Sequence, residues 1–397
     1  MTRQVQDAYI VAATRTPVGK APRGVFRAVR PDDLLAHVLK AIVAKAPTLD
    51  PKAIEDVVVG CAMPEAEQGF NVARIGLLLA GLPNTVGGIT VNRFCSSGLN
   101  AVAIAADRIK VGEADVMIAA GVESMSMVPM SGFHPSFNAR IYSDENIGIA
   151  YGMGMTAEKV ASQWKVNREA QDAFALQSHQ RALAAQAAGD FIEITPYKVA
   201  SRTPNLSSGR IDERSRDVGA DEGPRADTTA EALAKLRPVF AAKGSVTAGN
   251  SSQTSDGAGA VLLVSEKALK QFNLTPLARF VSFAVAGVPP EIMGIGPKFA
   301  IPKACAAAGV GQDQLDWIEL NEAFAAQSLA VINDLGLDPA KVNPLGGAIA
   351  LGHPLGATGA IRTATLVHGL RRRKQKYGMV TMCVGTGMGA AGVFEAL

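Results

Sequence analysis

Short runs of aliphatic and β-branched residues alternate with helical patterns from the start of this chain, and the rhythm occurs twice. Tyr9-Ile10-Val11-Ala12 reads as a strand, and Asp32 to Ala46 as a helix with Pro31 near its first turn. Val57-Val58-Val59, a helix near Asn71 to Leu82 and a strand over Gly88 to Phe94 continue the pattern. A helix then runs from Cys95 to about Val111, and Asp115 to Ala120 reads as a buried strand. The last third repeats the order. Ala278 to Val288 is strand-like, Lys298 to Ala308 helical, Leu315 to Leu320 strand-like and Glu322 to Leu335 helical. Val342-Asn343 leads through glycines into a helix ending near Arg373, much as Val91-Asn92 leads into the helix after Cys95. Tyr377 to Val384 and Ala390 to Phe394 close the chain as an antiparallel pair. Such βαβ alternation demands an α/β fold, with a parallel or mixed sheet covered by helices. Its recurrence suggests a duplicated half.

Between the two repeats the texture changes. Met125, Met127, Met130, Met153 and Met155 cluster among Gly, Pro and Ser, and two helical patterns follow, Thr156 to Val166 and Arg168 to Ala188. The polar stretch Ala200 to Thr229 carries Arg202, Arg210, Arg214, Arg216 and Arg225, and reads as an insertion rather than a sheet layer. Val246 to Ser265 returns to apolar, glycine-punctuated sequence. The expected division is therefore an N-terminal half (residues 1–124 plus 247–275), an inserted loop domain (125–246) and a C-terminal half (276–397).

Composition narrows the function. With 48% hydrophobic residues but only 5% aromatics, the core must be built from Ala, Val, Leu and Ile, and 40 glycines point to many tight strand–helix turns. A net charge of +3 is too small to imply nucleic-acid binding and compatible with a small anionic substrate. No apolar run reaches membrane-spanning length without a charge or turn residues. The four cysteines show no C-x-x-C and no ligand spacing with the five histidines, which argues against a zinc site or a disulfide scaffold. Met1 to Ile10 lacks a signal-peptide core and Glu-Ala-Leu is not a peroxisomal address, so a cytoplasmic location is expected.

The chemistry gathers at glycine-framed residues. Cys95 lies at the opening of a helix, where unpaired N–H groups and the helix dipole are expected to favour the nucleophilic thiolate. Three further segments lie in the final third: Asn321-Glu322-Ala323-Phe324, Gly346 to Gly356 around His353, and Cys383-Val384-Gly385-Thr386-Gly387-Met388-Gly389. His353 is a natural base for a cysteine nucleophile, glycine-rich backbone such as Gly385 can supply N–H donors to an oxyanion, and a second cysteine can move protons. Taken singly, each also fits a structural part: a packed thiol, a capping histidine, a turn asparagine.

Together these segments resemble the thiolase family, in its order and over essentially the whole chain. N-R-x-C-S-S-G around Cys95, N-E-A-F from Asn321, G-H-P-x-G-A-T-G around His353 and C-x-G-x-G-M-G around Cys383 are similar to its successive signature blocks. Gly249-Asn250-Ser251-Ser252 followed by Asp256-Gly257-Ala258 is similar to a further one. The resemblance implies two similar α/β halves in five layers, αβαβα, with the inserted loop domain contributing to CoA and acyl binding. It implies cleavage of 3-ketoacyl-CoA through an acyl group held on Cys95, with His353 activating that thiol and Cys383 exchanging protons with acetyl-CoA and CoA. The backbone of Cys95 and Gly385 would form one oxyanion hole, and His353 with an Asn321-held water the other. Ser252 would lie beside the pantetheine arm, Arg225 near the adenine nucleotide, and Met153 and Phe324 along the acyl pocket. Coenzyme A would be a co-substrate, with no tightly bound cofactor and no metal, and the chain would form a homo-oligomer, a tetramer or dimer. Gly152 stands before Met153, where acetoacetyl-CoA thiolases commonly carry histidine, and Glu291 to Pro297 resembles the degradative branch. The expectation is thus fatty-acid β-oxidation, the alternatives being a biosynthetic acetoacetyl-CoA thiolase and a non-catalytic acyl-CoA-binding relative.

Overall fold

The structure is a computed structural model that describes residues 5–397. β1 (Ala8–Arg15) and the two-residue β2 (Gly19–Lys20) precede α1 (Pro31–Ala44). Next come β3 (Asp56–Gly60), α2 (Val72–Leu79), β4 (Gly87–Val91), α3 (Ser97–Lys110) and β5 (Val116–Ser124). α4 (Met153–Gln163), α5 (Arg168–Ala188), β6 (Tyr197–Asn205), β7 (Arg210–Val218) and α6 (Ala230–Ala234) occupy the middle. β8 (Ser255–Val264) and α7 (Glu266–Gln271) lead to β9 (Ala278–Gly287), α8 (Gly296–Ala308), β10 (Trp317–Leu320) and α9 (Ala325–Leu335). α10 (Ala348–Leu351), α11 (Thr358–Arg373), β11 (Tyr377–Val384) and β12 (Met388–Ala396) complete the order.

The pairing of strands repeats itself. β3 is parallel to β4 and β5, β5 is antiparallel to β8, and β8 antiparallel to β1. In the second half β10 is parallel to β11 and bridges in parallel to Val342, β11 is antiparallel to β12, and β12 antiparallel to β9. Val342-Asn343 thus stands where β4 stands in the first half, shortened to a single bridge. The halves join edge to edge where β1 meets β9, with Tyr9 opposite Arg279, and the strand order runs continuously across nine strands, with β2 paired to β8 off that path.

Five layers follow from which faces are apolar. α1 buries Leu34, Leu35, Val38, Leu39 and Ile42, one face of a 3.6-residue repeat, against β5 and β8. On the other side α8 lies over β9, β11 and β12. α3 and α11 cross in the middle, and α11 touches strands of both halves. α11 is buried continuously from Thr358 to Val367, so its polar groups need internal partners. Thr363 donates to the Gly359 carbonyl at 2.7 Å, Thr365 to Glu193 at 2.8 Å, and Arg362 faces Glu319 at 3.7 Å.

The segment read as a polar insertion contains a two-stranded ribbon, β6–β7, apart from the main sheet. The ribbon adds no strand to the main sheet, and it carries regular pairing that composition concealed. β8, fully buried along its length, also emerges from a stretch read only as apolar.

Candidate active site

Cys95 sits in a 3₁₀ turn, Phe94–Ser96, that precedes α3. Polar side chains shape the turn: Asn92 accepts from the Phe94 N–H at 2.8 Å, and Ser97 accepts from the Arg93 N–H at 2.8 Å while donating to the Phe94 carbonyl at 2.7 Å. Phe94 adopts φ +44, a conformation that this bonding must hold in place. The Cys95 sulfur faces the N–H groups of Gly385 and of Cys95 itself. Burial nevertheless dominates and pushes the thiol up to about 12. The expected thiolate at a helix start is therefore corrected: with the side chain desolvated, the dipole and two N–H donors do not outweigh the cost of a buried charge.

Cys383 lies one residue before the end of β11, and residues 385–387 turn the chain back into β12. Thr386 at φ +64 and Gly387 at φ +87 make this tight reversal, and a side chain on Gly387 would run into the Val288 carbonyl. The reversal aims the Gly385 N–H at Cys95. Cys383 is completely buried, and desolvation, reinforced by nearby Cys95, holds its thiol well above the usual range. The two sulfurs thus share one region.

His353 follows α10 and precedes α11. Its Nδ1 lies 2.6 Å from Thr358 Oγ1 and its Nε2 3.4 Å from Asn321 Nδ2. Burial and the nearby Arg362 cation lower the imidazole to about 3, so it is neutral. An Asn321 N–H donated to Nε2 leaves the Nδ1 proton to be donated to Thr358, which selects one tautomer. Asn321 itself hangs from the Thr381 carbonyl through its own N–H, 2.9 Å away, at the end of β10. The loop after His353 is stitched to the first half by buried Glu123, which accepts from the N–H groups of Gly356 at 2.8 Å and Ala62 at 2.8 Å.

Phe324, Met293 and Met153 pack in one apolar cluster with Cys383. The expected pocket residues Met153 and Phe324 therefore join the Cys383 sulfur. Ser252 and Arg225 do not. Ser252 donates its N–H to the Ala323 carbonyl at 2.9 Å, beside Phe324. Arg225 is exposed and paired with Asp227 at 3.0 Å, on a cavity of about 330 Å³ also lined by Lys20, His179 and Gln253. Gln253 ties that cavity to the site, since its carbonyl accepts the His353 N–H at 3.2 Å. Among the described residues no group of three His, Cys, Asp or Glu side chains is placed to hold a metal ion, and no helix is long and apolar enough to cross a membrane.

Sequence reading missed Thr358, Gln327 and Glu123. Thr358 lies inside the G-H-P-x-G-A-T-G run, five residues past His353, where a 3₁₀ turn brings it back to the ring. Gln327 and Glu123 lie outside every signature segment and carry no spacing signal.

Comparison with known proteins agrees with this geometry. The thiolase N-terminal domain model matches residues 8–267 and the thiolase C-terminal domain model residues 274–396. A Bacillus subtilis (strain 168) protein named 3-ketoacyl-CoA thiolase is 51% identical over 98% of this chain and 100% of its own. The mouse peroxisomal 3-ketoacyl-CoA thiolase B is 46% identical over 98% of this chain and 91% of its own. The crystal structure of a Bacillus anthracis acetyl-CoA acetyltransferase superposes with a TM-score of 0.89 at 38% identity, covering 100% of both chains. Matched in both halves and along nearly its whole length, this chain belongs to the thiolase family.

Proposed function

We propose that this chain cleaves 3-ketoacyl-CoA with coenzyme A, yielding acetyl-CoA and an acyl-CoA two carbons shorter, as a degradative step of fatty-acid oxidation. The observation that carries the reading is that Cys95, facing the Gly385 N–H, lies close to Cys383, which packs in one cluster with Met153 and Phe324. A neutral thiol and a neutral imidazole form a competent pair, because the proton moves only as the sulfur attacks. His353 takes the Cys95 proton, and Cys95 attacks the keto carbon. The oxyanion is met by N–H donors of Cys95 and Gly385. The C–C bond breaks, Cys383 protonates the departing acetyl-CoA carbanion, and the acyl group stays on Cys95. Cys383, now a thiolate, takes the proton of incoming CoA. His353, now protonated, and a water held by Asn321 meet the charge on the acetyl-CoA thioester oxygen as the C–C bond breaks; the CoA sulfur then accepts the acyl group with its oxygen still on the Cys95 and Gly385 donors, and His353 returns its proton to Cys95.

Arg225 serves the nucleotide end of CoA, supported by the cavity that Gln253 links to His353, and Ser252 serves the pantetheine arm, supported by its bond to the Ala323 carbonyl beside Phe324. The chain acts in the cytoplasm as a homo-oligomer. Exposed Ile75, Leu78, Leu79 and Ile89 beside the open β4 edge favour self-association. Thiolysis of a chain-length series of 3-ketoacyl-CoA substrates tests the function. Turnover of medium chains is the expected result. Activity confined to acetoacetyl-CoA would point instead to the acetyl-transfer branch, which the Bacillus anthracis structure represents. No turnover at any length would leave a binding protein.

A further inference from the structure

Gln327 is completely buried in α9, with its side-chain amide between the two halves of the chemistry. One end of the amide lies 3.3 Å from Cys383 Sγ, and the same end lies 3.2 Å from the Asn321 carbonyl oxygen. The other end lies 2.7 Å from the Ser328 N–H and 2.9 Å from Ser328 Oγ. Only one orientation satisfies all of these partners. The oxygen must accept from Ser328, and the nitrogen must face Cys383 and the Asn321 carbonyl. The nitrogen has two hydrogens for two acceptors, the carbonyl and the sulfur. The side chain has little freedom to leave, because Gly294 lies against it so closely that a Cβ there would stand 2.7 Å from Gln327 Cβ.

We propose that Gln327 is a positioning residue for proton transfer, its amide nitrogen holding the Cys383 sulfur and donating a hydrogen bond to it whenever that sulfur is a thiolate. The proposal rests on the proton-shuttling role of Cys383 proposed above. In that cycle the Cys383 S–H bond breaks as a C–H bond forms on the acetyl-CoA carbanion, and the sulfur keeps the electron pair. The S–H bond is restored when CoA gives up its thiol proton. Between those events a negative charge sits on a sulfur with no access to solvent, where an N–H donor is worth most. The same nitrogen pulls on the Asn321 carbonyl, so the proton shuttle and the asparagine beside His353 are braced by one side chain.

The test compares Gln327→Met, which keeps length and loses the donor, with Gln327→Glu, which places an acceptor against the sulfur, and with Cys383→Ser. Exchange of the acetyl-CoA methyl hydrogens with D2O reads Cys383 as a base without a full thiolysis cycle. In both Gln327 variants, exchange and thiolysis kcat are expected to fall about 10- to 100-fold, the size of a lost charge-stabilising hydrogen bond. KM stays within about twofold, alkylation of Cys95 by iodoacetamide is unchanged, and the pH midpoint of exchange moves upward. Wild-type exchange and midpoint in Gln327→Met would overturn the proposal, as would a parallel loss of exchange, KM, Cys95 alkylation and melting temperature, which is the mark of a purely structural residue. Full exchange in Cys383→Ser would remove the Cys383 reading itself, whereas lost exchange there beside a normal Gln327→Met removes only the role of Gln327.

Discussion

At Cys95 two local effects compete, and burial wins. The turn before α3 offers two N–H groups to the sulfur, yet the thiol is held at about 12 because the charged form has no solvent. In the mechanism proposed above the nucleophile is made on demand, through His353, whose burial keeps it neutral at ordinary assay pH. Cys95→Ala is expected to abolish the covalent acyl adduct seen by mass spectrometry while CoA still binds; an adduct surviving in that variant would take Cys95 out of the mechanism. Cys383→Ser should leave some acyl adduct detectable yet slow overall exchange by about 100-fold or more. Cys95, His353 and Cys383 could be picked out in the chain because each is a reactive side chain framed by small residues. Thr358 stood in view but without a role, since only the 3₁₀ turn after Pro354 brings it to Nδ1. Gln327 had no signal at all: its part depends on a sulfur 56 positions away.

Among the elements, α3 and α11 decide whether the site exists. They cross with backbones in contact, and a Cβ on Gly98 would stand 2.7 Å from the Ala360 nitrogen and 2.8 Å from the Gly356 oxygen. On Gly359 it would strike the Leu99 nitrogen. This contact sets the Cys95 turn against the loop that carries His353. Gly359→Ala is expected to cost about 2 kcal/mol or more in a urea titration, since neither backbone can yield, and to lower kcat by separating the two segments. Stability and kcat equal to wild type would mean the helices have room to part. The glycines were expected mainly in strand–helix turns; many instead lie where helices and strands approach in the central layer. Composition records how many glycines there are but not which backbone each must admit. The β6–β7 ribbon went unread for a different reason: β7 is exposed up to its last residue and largely charged, with no apolar alternation to mark it.

Across the whole molecule, folding buries groups that acid disturbs, His353 before α11 and His179 on α5. His353 at about 3 and His179 at about 4 lie below the ordinary histidine value, so between those values and about 6.5 the unfolded chain binds more protons than the folded one. Their contribution to stability is complete above about 6.5 and is lost as pH falls through that window. Buried Glu123, Glu319 and Glu322 titrate above the usual carboxylate value and act in the opposite sense, so the histidine part is read as a difference. Urea unfolding between pH 7 and pH 4 should show a shallower acid loss in His353→Gln than in the wild type. Identical slopes would mean that His353 is not buried neutral.

The sequence alone determined the α/β class and the repeat of its halves, and it singled out three candidate reactive side chains, because strand and helix periodicities are local and the signature segments are contiguous. It could not determine the protonation of those side chains, the partner of His353 or the place of Gln327. Those depend on desolvation and on how turns and packing bring side chains together, Thr358 folded back onto His353 and Gln327 reaching a sulfur 56 positions away.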